Sequence, residues 1–276
     1  MKLSDFDFVL PEDLIALRPV APRSSARLLT YEQGQISDSY VYSLPDAFKA
    51  GDRLILNNTK VIPARLRGER IRYGTSEGGR AGVEVTLIKQ EDPTVWMALI
   101  KPLKKVAIGE MILFGHGLSA ELLDKSEGQA RLRFTSARED FFSALNKEGQ
   151  MPLPPYIATK RQTDEMDTSD YQTIFANSVG SVAAPTASLH FDTPVLEALA
   201  AKGIELSFVT LHVGAGTFLP VKVDDVKTHK MHAEYGVVNT RVAEDVRITQ
   251  KNGGRIIPVG TTALRLIETA AANSGE

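Results

Sequence analysis

Between Val83 and Phe134 the chain falls into short runs in which apolar and polar side chains alternate. The runs are Val83 to Ile88, Val95 to Lys101, Met111 to Phe114, Ala120 to Leu123 and Ala130 to Phe134, each closed by turn residues. Period two belongs to a strand with one buried face, and short strands at this spacing predict a small barrel or sandwich. The C-terminal half has another texture. Pro194 to Lys202, Val242 to Asn252 and Ala263 to Ala272 carry helical periodicity, with Gly203 and Gly253-Gly254 as stops and Thr262 as an N-cap of the last. Strand patterns at Leu206 to Val213 and Arg255 to Val259 alternate with them, and Arg53 to Leu56 reads as a buried strand. Near the start, Ala26 to Tyr31 and Gln35 to Tyr42 pair as a hairpin around Gln33-Gly34. Shorter helices are predicted at Pro11 to Leu17, Asp46 to Lys49, Ser136 to Glu148 and Ser169 to Ala176. The glycine-rich stretch 73–82 and the proline-rich exit 149–156 bracket the β-only region. The pattern predicts a discontinuous mixed α/β main domain (1–74 and 151–276) with an inserted barrel-like all-β domain (75–150).

The stretch from Ser207 to Val221 carries the most chemical information. It runs as a strand, reaches His212, and breaks at Gly214-Ala215-Gly216. That places a titratable ring at a strand end beside exposed backbone N–H groups, where α/β proteins put ligands. A dinucleotide fingerprint fails on context, because Leu219 stands at the third glycine position and Pro220 where a helix would run. A plain glycine turn beside a core histidine stays open.

Composition narrows the field without deciding it. The chain has 276 residues, 43% hydrophobic, and no cysteine, which excludes disulfides, thiolate metal sites and a catalytic thiol. The acidic start MKLSDFDFVLPEDL lacks the apolar core of a signal peptide, and no run of apolar residues is long enough to span a membrane. A net charge of −2 leaves no global nucleic-acid footprint. Locally, Lys60, Arg65, Arg67, Arg70 and Arg72 stand against Glu69 alone, either a solvated face or a phosphate-tracking patch, and Lys101, Lys104 and Lys105 form a second basic cluster. All histidines but His116 fall between His190 and His232. His229, His232 and Glu234 offer a weak metal reading that lacks HExxH spacing. Gly260-Thr261-Thr262 opens a helix after a strand and offers an anion site at its free N–H groups.

Six stretches then point one way: LILNNTKVIPARLRG (Leu54 to Gly68), LPPYI (Leu153 to Ile157), GSVAAPTASLHF (Gly180 to Phe191), VTLHVGAGTFLPV (Val209 to Val221), HKMHAE (His229 to Glu234) and GGRIIPVGTTALRLIE (Gly253 to Glu268). In this order and spacing they closely resemble the S-adenosylmethionine:tRNA ribosyltransferase-isomerase family of queuosine biosynthesis. The resemblance implies transfer of the ribosyl part of S-adenosylmethionine onto 7-aminomethyl-7-deazaguanine at the wobble position of a tRNA with a GUN anticodon. Epoxyqueuosine forms, and adenine and methionine leave. It also implies a mixed α/β domain with an inserted barrel, and further family sequence beyond Glu276. Ser188 stands where the family usually has glycine, and Leu219 where it usually has arginine.

Such chemistry needs an acid and a base near neutrality, which suits histidine. The catalytic candidates are therefore His190 and His212, with Asp192 and Glu234 as orienters or alternates. Gly214, Gly216, Thr217, Thr262 and His232 are the candidate substrate contacts, and Lys60, Arg65, Arg67, Lys101 and Lys104 the candidate tRNA contacts. No metal and no cofactor beyond S-adenosylmethionine, itself consumed, is expected. The expected setting is a cytoplasmic monomer without membrane association. A non-catalytic RNA-binding module and a metal-dependent hydrolase built on His229, His232 and Glu234 are the rival readings.

Overall fold

The computed structural model describes the chain apart from 72–78, 137–139, 215, 217–220, 232 and 275–276, with backbone alone at 273 and 274. A hairpin of β1 (Arg27–Glu32) and β2 (Gln35–Tyr40) comes first. Its tight turn puts Gln33 at φ 50° and Gly34 at φ 86°, the left-handed pair that matches strand twist. Two strands follow, β3 (Arg53–Asn57) and β4 (Thr59–Val61).

The barrel is built from β5 (Arg65–Ile71), β6 (Arg80–Gln90), β7 (Val95–Lys101), β8 (Met111–Leu113), β9 (Leu118–Ser126) and β10 (Gln129–Ser136). They close in the order β10-β7-β6-β5-β8-β9, so no strand edge is left open. Alternation does what the pattern demands: Leu66, Val85, Leu87, Ala98, Ile112, Leu122 and Leu132 point inward and are buried. The first barrel strand, β5, comes from the basic stretch. Its outward Arg67 and Glu69 are exposed, while Arg70 is buried and bonds the Lys105 carbonyl and Glu110. Helix α1 (Phe141–Glu148) then packs the aromatic rings of Phe141 and Phe142 against Trp96.

After the short helices α2 (Pro155–Ala158) and α3 (Asp167–Asp170), strand β11 (Ser178–Ser181) runs parallel to β4. Helix α4 (Thr193–Ala201) leads into β12 (Glu205–His212), then β13 (Tyr235–Val237), α5 (Thr240–Lys251), β14 (Ile256–Pro258) and α6 (Gly260–Ser274). The main sheet has the order β13-β12-β3-β14, with β12 and β14 both parallel to β3. Every residue of β3 is buried, as expected of a central parallel strand covered on both faces. Leu54 and Leu56 pack with Val195 and Leu199 of α4, while Ile55 packs with Val242 of α5 and Ala263 of α6.

Several predicted helices are shorter or displaced. Pro11 to Leu17 yields a single 3-10 turn at Glu12–Leu14, because prolines at 11, 19 and 22 leave no length for a hydrogen-bonded helix. The segment near Asp46 is 3-10 from Val41–Ala47, and the one predicted from Ser169 is one turn at Asp167–Asp170. Asp140 caps α1 by accepting from Ser143 N, so that helix starts later than Ser136. Helix α6 starts at Gly260, which puts Thr262 inside the first turn and not at its N-cap.

Candidate functional site

His212 is the last residue of β12, and three consecutive residues, Asn57 to Thr59, from the end of β3 to the start of β4, tie that strand end down. Asn57 behaves as a surrogate strand: its amide nitrogen donates to the Leu211 carbonyl at 3.0 Å, and its oxygen accepts from Leu211 N at 3.0 Å. Asn58 Oδ1 accepts from the Thr210 hydroxyl at 2.7 Å. Thr59, fully buried, places its Oγ1 2.8 Å from His212 Nδ1 and 3.4 Å from the Ser178 carbonyl. Gly180, at φ 144°, lies under the imidazole, and a Cβ there would fall 3.1–3.3 Å from three ring atoms. The small-residue loop thus wraps the histidine. Burial lowers the pKa of His212 below the ordinary histidine value, so the ring is neutral at pH 7.

The ring opens onto a cleft of about 560 Å³ between the barrel and the main sheet. Ile88, Lys89, Gln90 and Met97 form the barrel wall. Gly180, Gly214, Gly216, His229, Glu234 and Arg265 form the opposite one. Glu234 is held at both oxygens, by Gly214 N–H at 3.1 Å and by the Arg265 guanidinium at 2.6 Å. Its carboxylate therefore stands as an oriented anion with a cation beside it at the cleft edge. His212, Glu234, Gly214 and Gly216 are thereby brought together as the sequence leads one to expect.

Side chains alternate about the strand, so Val213 points the other way, into a second cleft of about 810 Å³. Thr262 lines this one, with Gly260, Thr261, Thr186, Tyr156 and Tyr171. Thr262 Oγ1 is buried with no hydrogen-bond partner among the described residues. Thr262 therefore does not share the cleft of His212. Burial pushes the Tyr171 hydroxyl up to about 12, which keeps it protonated.

His190 and Asp192 line neither cleft. Asp192 accepts from Ser24 N at 3.0 Å and from Val195 N at 3.3 Å, which makes it the N-cap of α4. Those donors hold its carboxyl below the usual range although burial opposes them. His190 stays accessible at the end of a 3-10 turn over Thr186–His190, and surrounding protein, then the Arg23 charge, lower its pKa. Ser188, buried at the position where the family usually has glycine, has no partner for its hydroxyl among the described residues. Thr217, Leu219 and His232 lie outside the described residues. Among the described residues no group of three or more His, Asp or Glu is arranged to hold a metal ion, and no helix is long and apolar enough to cross a membrane.

Of the basic candidates, Lys60, Arg67, Lys101 and Lys104 are exposed. Arg65 is half-buried and bonds Glu84 at 2.8 Å. Arg67 and Lys101 flank Glu84 on neighbouring strands, so one outward row reads Arg67-Glu84-Lys101. Lys60 pairs with Val179, and Val179 lines the His212 cleft. Thr59 and Arg265 are site residues that sequence reasoning missed: each acts across a long separation, 153 positions to His212 and 31 to Glu234. The polar trio after a buried strand was the available signal for Thr59.

A family model described as Queuosine biosynthesis protein matches residues 3–276. The S-adenosylmethionine:tRNA ribosyltransferase-isomerase of Ruegeria sp. is 59% identical over 275 residues, covering 100% of this chain and 79% of that protein. The protein of the same name from Roseobacter denitrificans is 60% identical, covering 98% of this chain and 77% of its own length. Among solved structures, the S-adenosylmethionine tRNA ribosyltransferase of Thermotoga maritima is 28% identical, covers 98% of this chain and 73% of its own, and superposes with a TM-score of 0.44. On the family match and the identity to these relatives, the chain belongs to the queuosine-biosynthesis family of S-adenosylmethionine:tRNA ribosyltransferase-isomerases.

Proposed function

We propose that this chain performs the reaction its relatives are named for. The ribosyl moiety of S-adenosylmethionine moves onto 7-aminomethyl-7-deazaguanine at the wobble position of a GUN-anticodon tRNA, giving epoxyqueuosine with release of adenine and methionine. The chain acts as a cytoplasmic monomer without a metal. The supporting observation is the cleft itself, where a neutral histidine faces an oriented carboxylate–guanidinium pair between an α/β sheet and a barrel. The carbon beside a sulfonium is acidic, and a neutral imidazole is the base that removes its 5′-proton and starts loss of adenine. The aminomethyl nitrogen then bonds the ribosyl unit, and methionine leaves as a thioether while a sugar oxygen closes the epoxide. Gly214 and Gly216 let the backbone approach the sulfonium substrate, and Glu234 with Arg265 supplies charged contacts for its polar ends. His190 keeps the acid–base role and Asp192, through α4, the orienting role expected from the sequence, while Thr217, Thr262 and His232 are substrate contacts, Thr262 from the second cleft. Lys60, Arg67, Lys101 and Lys104 meet tRNA phosphates, and Arg65 steadies that row through Glu84.

The test is adenine release from S-adenosylmethionine in the presence of precursor tRNA. Release only with both substrates supports the reading. Binding of tRNA without any dependence on S-adenosylmethionine would replace it with the RNA-binding module, and loss of activity with a chelator would favour the hydrolase.

A further inference from the structure

The surroundings of His212 bear on which of its two nitrogens carries the proton. Thr59 Oγ1 lies 2.8 Å from Nδ1 and 3.4 Å from the carbonyl of Ser178. The hydroxyl has one hydrogen and the Ser178 carbonyl can only accept. If Thr59 donated to Nδ1, the ring would carry its proton on Nε2, presenting a donor to the cleft, and Thr59 would make one bond. If Nδ1–H donates to Thr59 and Thr59 donates to Ser178, both contacts are satisfied and Nε2 keeps a bare lone pair. Thr59 is fully buried, so water does not compete for either bond. Satisfying both contacts in a dry site favours the second arrangement. The strand trio keeps it in place: Asn57 and Asn58 lock Leu211 and Thr210, and Gly180 closes the near side of the ring.

We infer that Thr59 is a positioning residue that sets the tautomer of His212, with a relay from Nδ1–H through the Thr59 hydroxyl to the Ser178 carbonyl leaving Nε2 free to accept a proton in the cleft. This rests on the reading of His212 as the base, but only in its consequence for rate. The tautomer itself is a property of the resting protein. Groups sharing the cleft with Nε2 are His229, Glu234, Arg265 and Lys89, and none of the bonds described for them goes to Nδ1.

The experiment uses the full chain labelled with ¹⁵N-histidine, comparing Thr59→Val, Thr59→Ser and His212→Ala with the parent. Long-range proton–nitrogen spectra should show Nδ1 protonated and Nε2 bare in the parent and in Thr59→Ser. In Thr59→Val the population should move to the Nε2–H form. Adenine release should fall in kcat for Thr59→Val by at least about 10-fold, part of the about 10²–10⁴-fold a general base contributes, with KM for S-adenosylmethionine held and the rate restored in Thr59→Ser. An Nε2–H ring in the parent, or an unshifted Nδ1–H ring in Thr59→Val, overturns the inference. If His212→Ala keeps full turnover, the base assignment falls while the spectra still decide the tautomer, so the two failures are separable. Should Thr59→Val not fold, the parent spectrum decides: Nδ1–H supports the relay and Nε2–H overturns it.

Discussion

In the proposed reaction the His212 ring moves the first proton, and its neighbours tell how it should respond. Replacing His212 by Ala should lower turnover about 10²–10⁴-fold, the range for a general base; steady-state adenine release measures it, and near-parental turnover would remove His212 from the mechanism. Burial depresses the ring's pKa, so the acid limb of kcat/KM should lie below pH about 6.5, the unperturbed histidine value. The stability linkage has the same sign. The folded ring binds fewer protons than the unfolded one, so its contribution is intact above the ordinary histidine pKa and is lost as pH falls below it. Gly180→Ala tests the packing of the ring. A Cβ 3.1–3.3 Å from the imidazole, on a backbone at φ 144°, must push the ring aside. The ring must give by a few tenths of an ångström, which should lower kcat by about 10-fold, less than the cost of a misplacement of about 1 Å. Unchanged turnover in the folded variant would show that the ring has room to shift without consequence.

Caps and clamps decide matters at the level of elements. Asp192→Ala removes the bonds from Ser24 and Val195 that start α4, which should cost about 1 kcal/mol in denaturant unfolding while the rate per folded molecule holds. A reduced rate at unchanged stability would instead put Asp192 in the chemistry. Asp52 is a larger case. Its buried carboxylate takes Arg255 Nη2 at 2.6 Å together with the backbone N–H groups of Lys49 and Arg255, joining the starts of β3 and β14. The Arg255 contact holds its pKa far below the usual carboxylate range. Asp52→Ala should therefore destabilise by about 2 kcal/mol, under the full value for a buried pair because Arg255 is half exposed. The parent should lose this stability as pH falls below the unfolded value near about 4. Legibility in the sequence followed the same physics. Strands β6, β7, β9 and β10 were readable because one face of each is apolar, and β3 because its middle, Leu54-Ile55-Leu56, is apolar throughout. Strand β5 was hidden: Arg70, which faces inward, satisfies its charge on the Lys105 carbonyl and Glu110, so a core position reads as one more cation. His212 and the glycine break were visible as a motif. Thr59 and Arg265 were not, since their meaning comes only from partners that folding brings near.

Across the molecule, barrel and sheet meet at the cleft, and exposed cations stand on the barrel strands and on β4. Neutralising Lys60, Arg67, Lys101 or Lys104 should weaken tRNA binding and flatten its log–log salt dependence by about 0.7–0.9 for each phosphate no longer neutralised. Arg65→Gln should flatten it less, its charge being already met by Glu84. Equal slopes in all variants would return the row to a plain solvated surface. The end of β12 has a different reach. His212 opens to one cleft and Val213 to the other, so which chamber a side chain enters here is a matter of parity. Inserting a single residue within β12, after Asn57 has fixed Leu211, would act as a frameshift in space: imidazole and valine would trade chambers, and a protein with every side chain still present would have its base facing the wrong room.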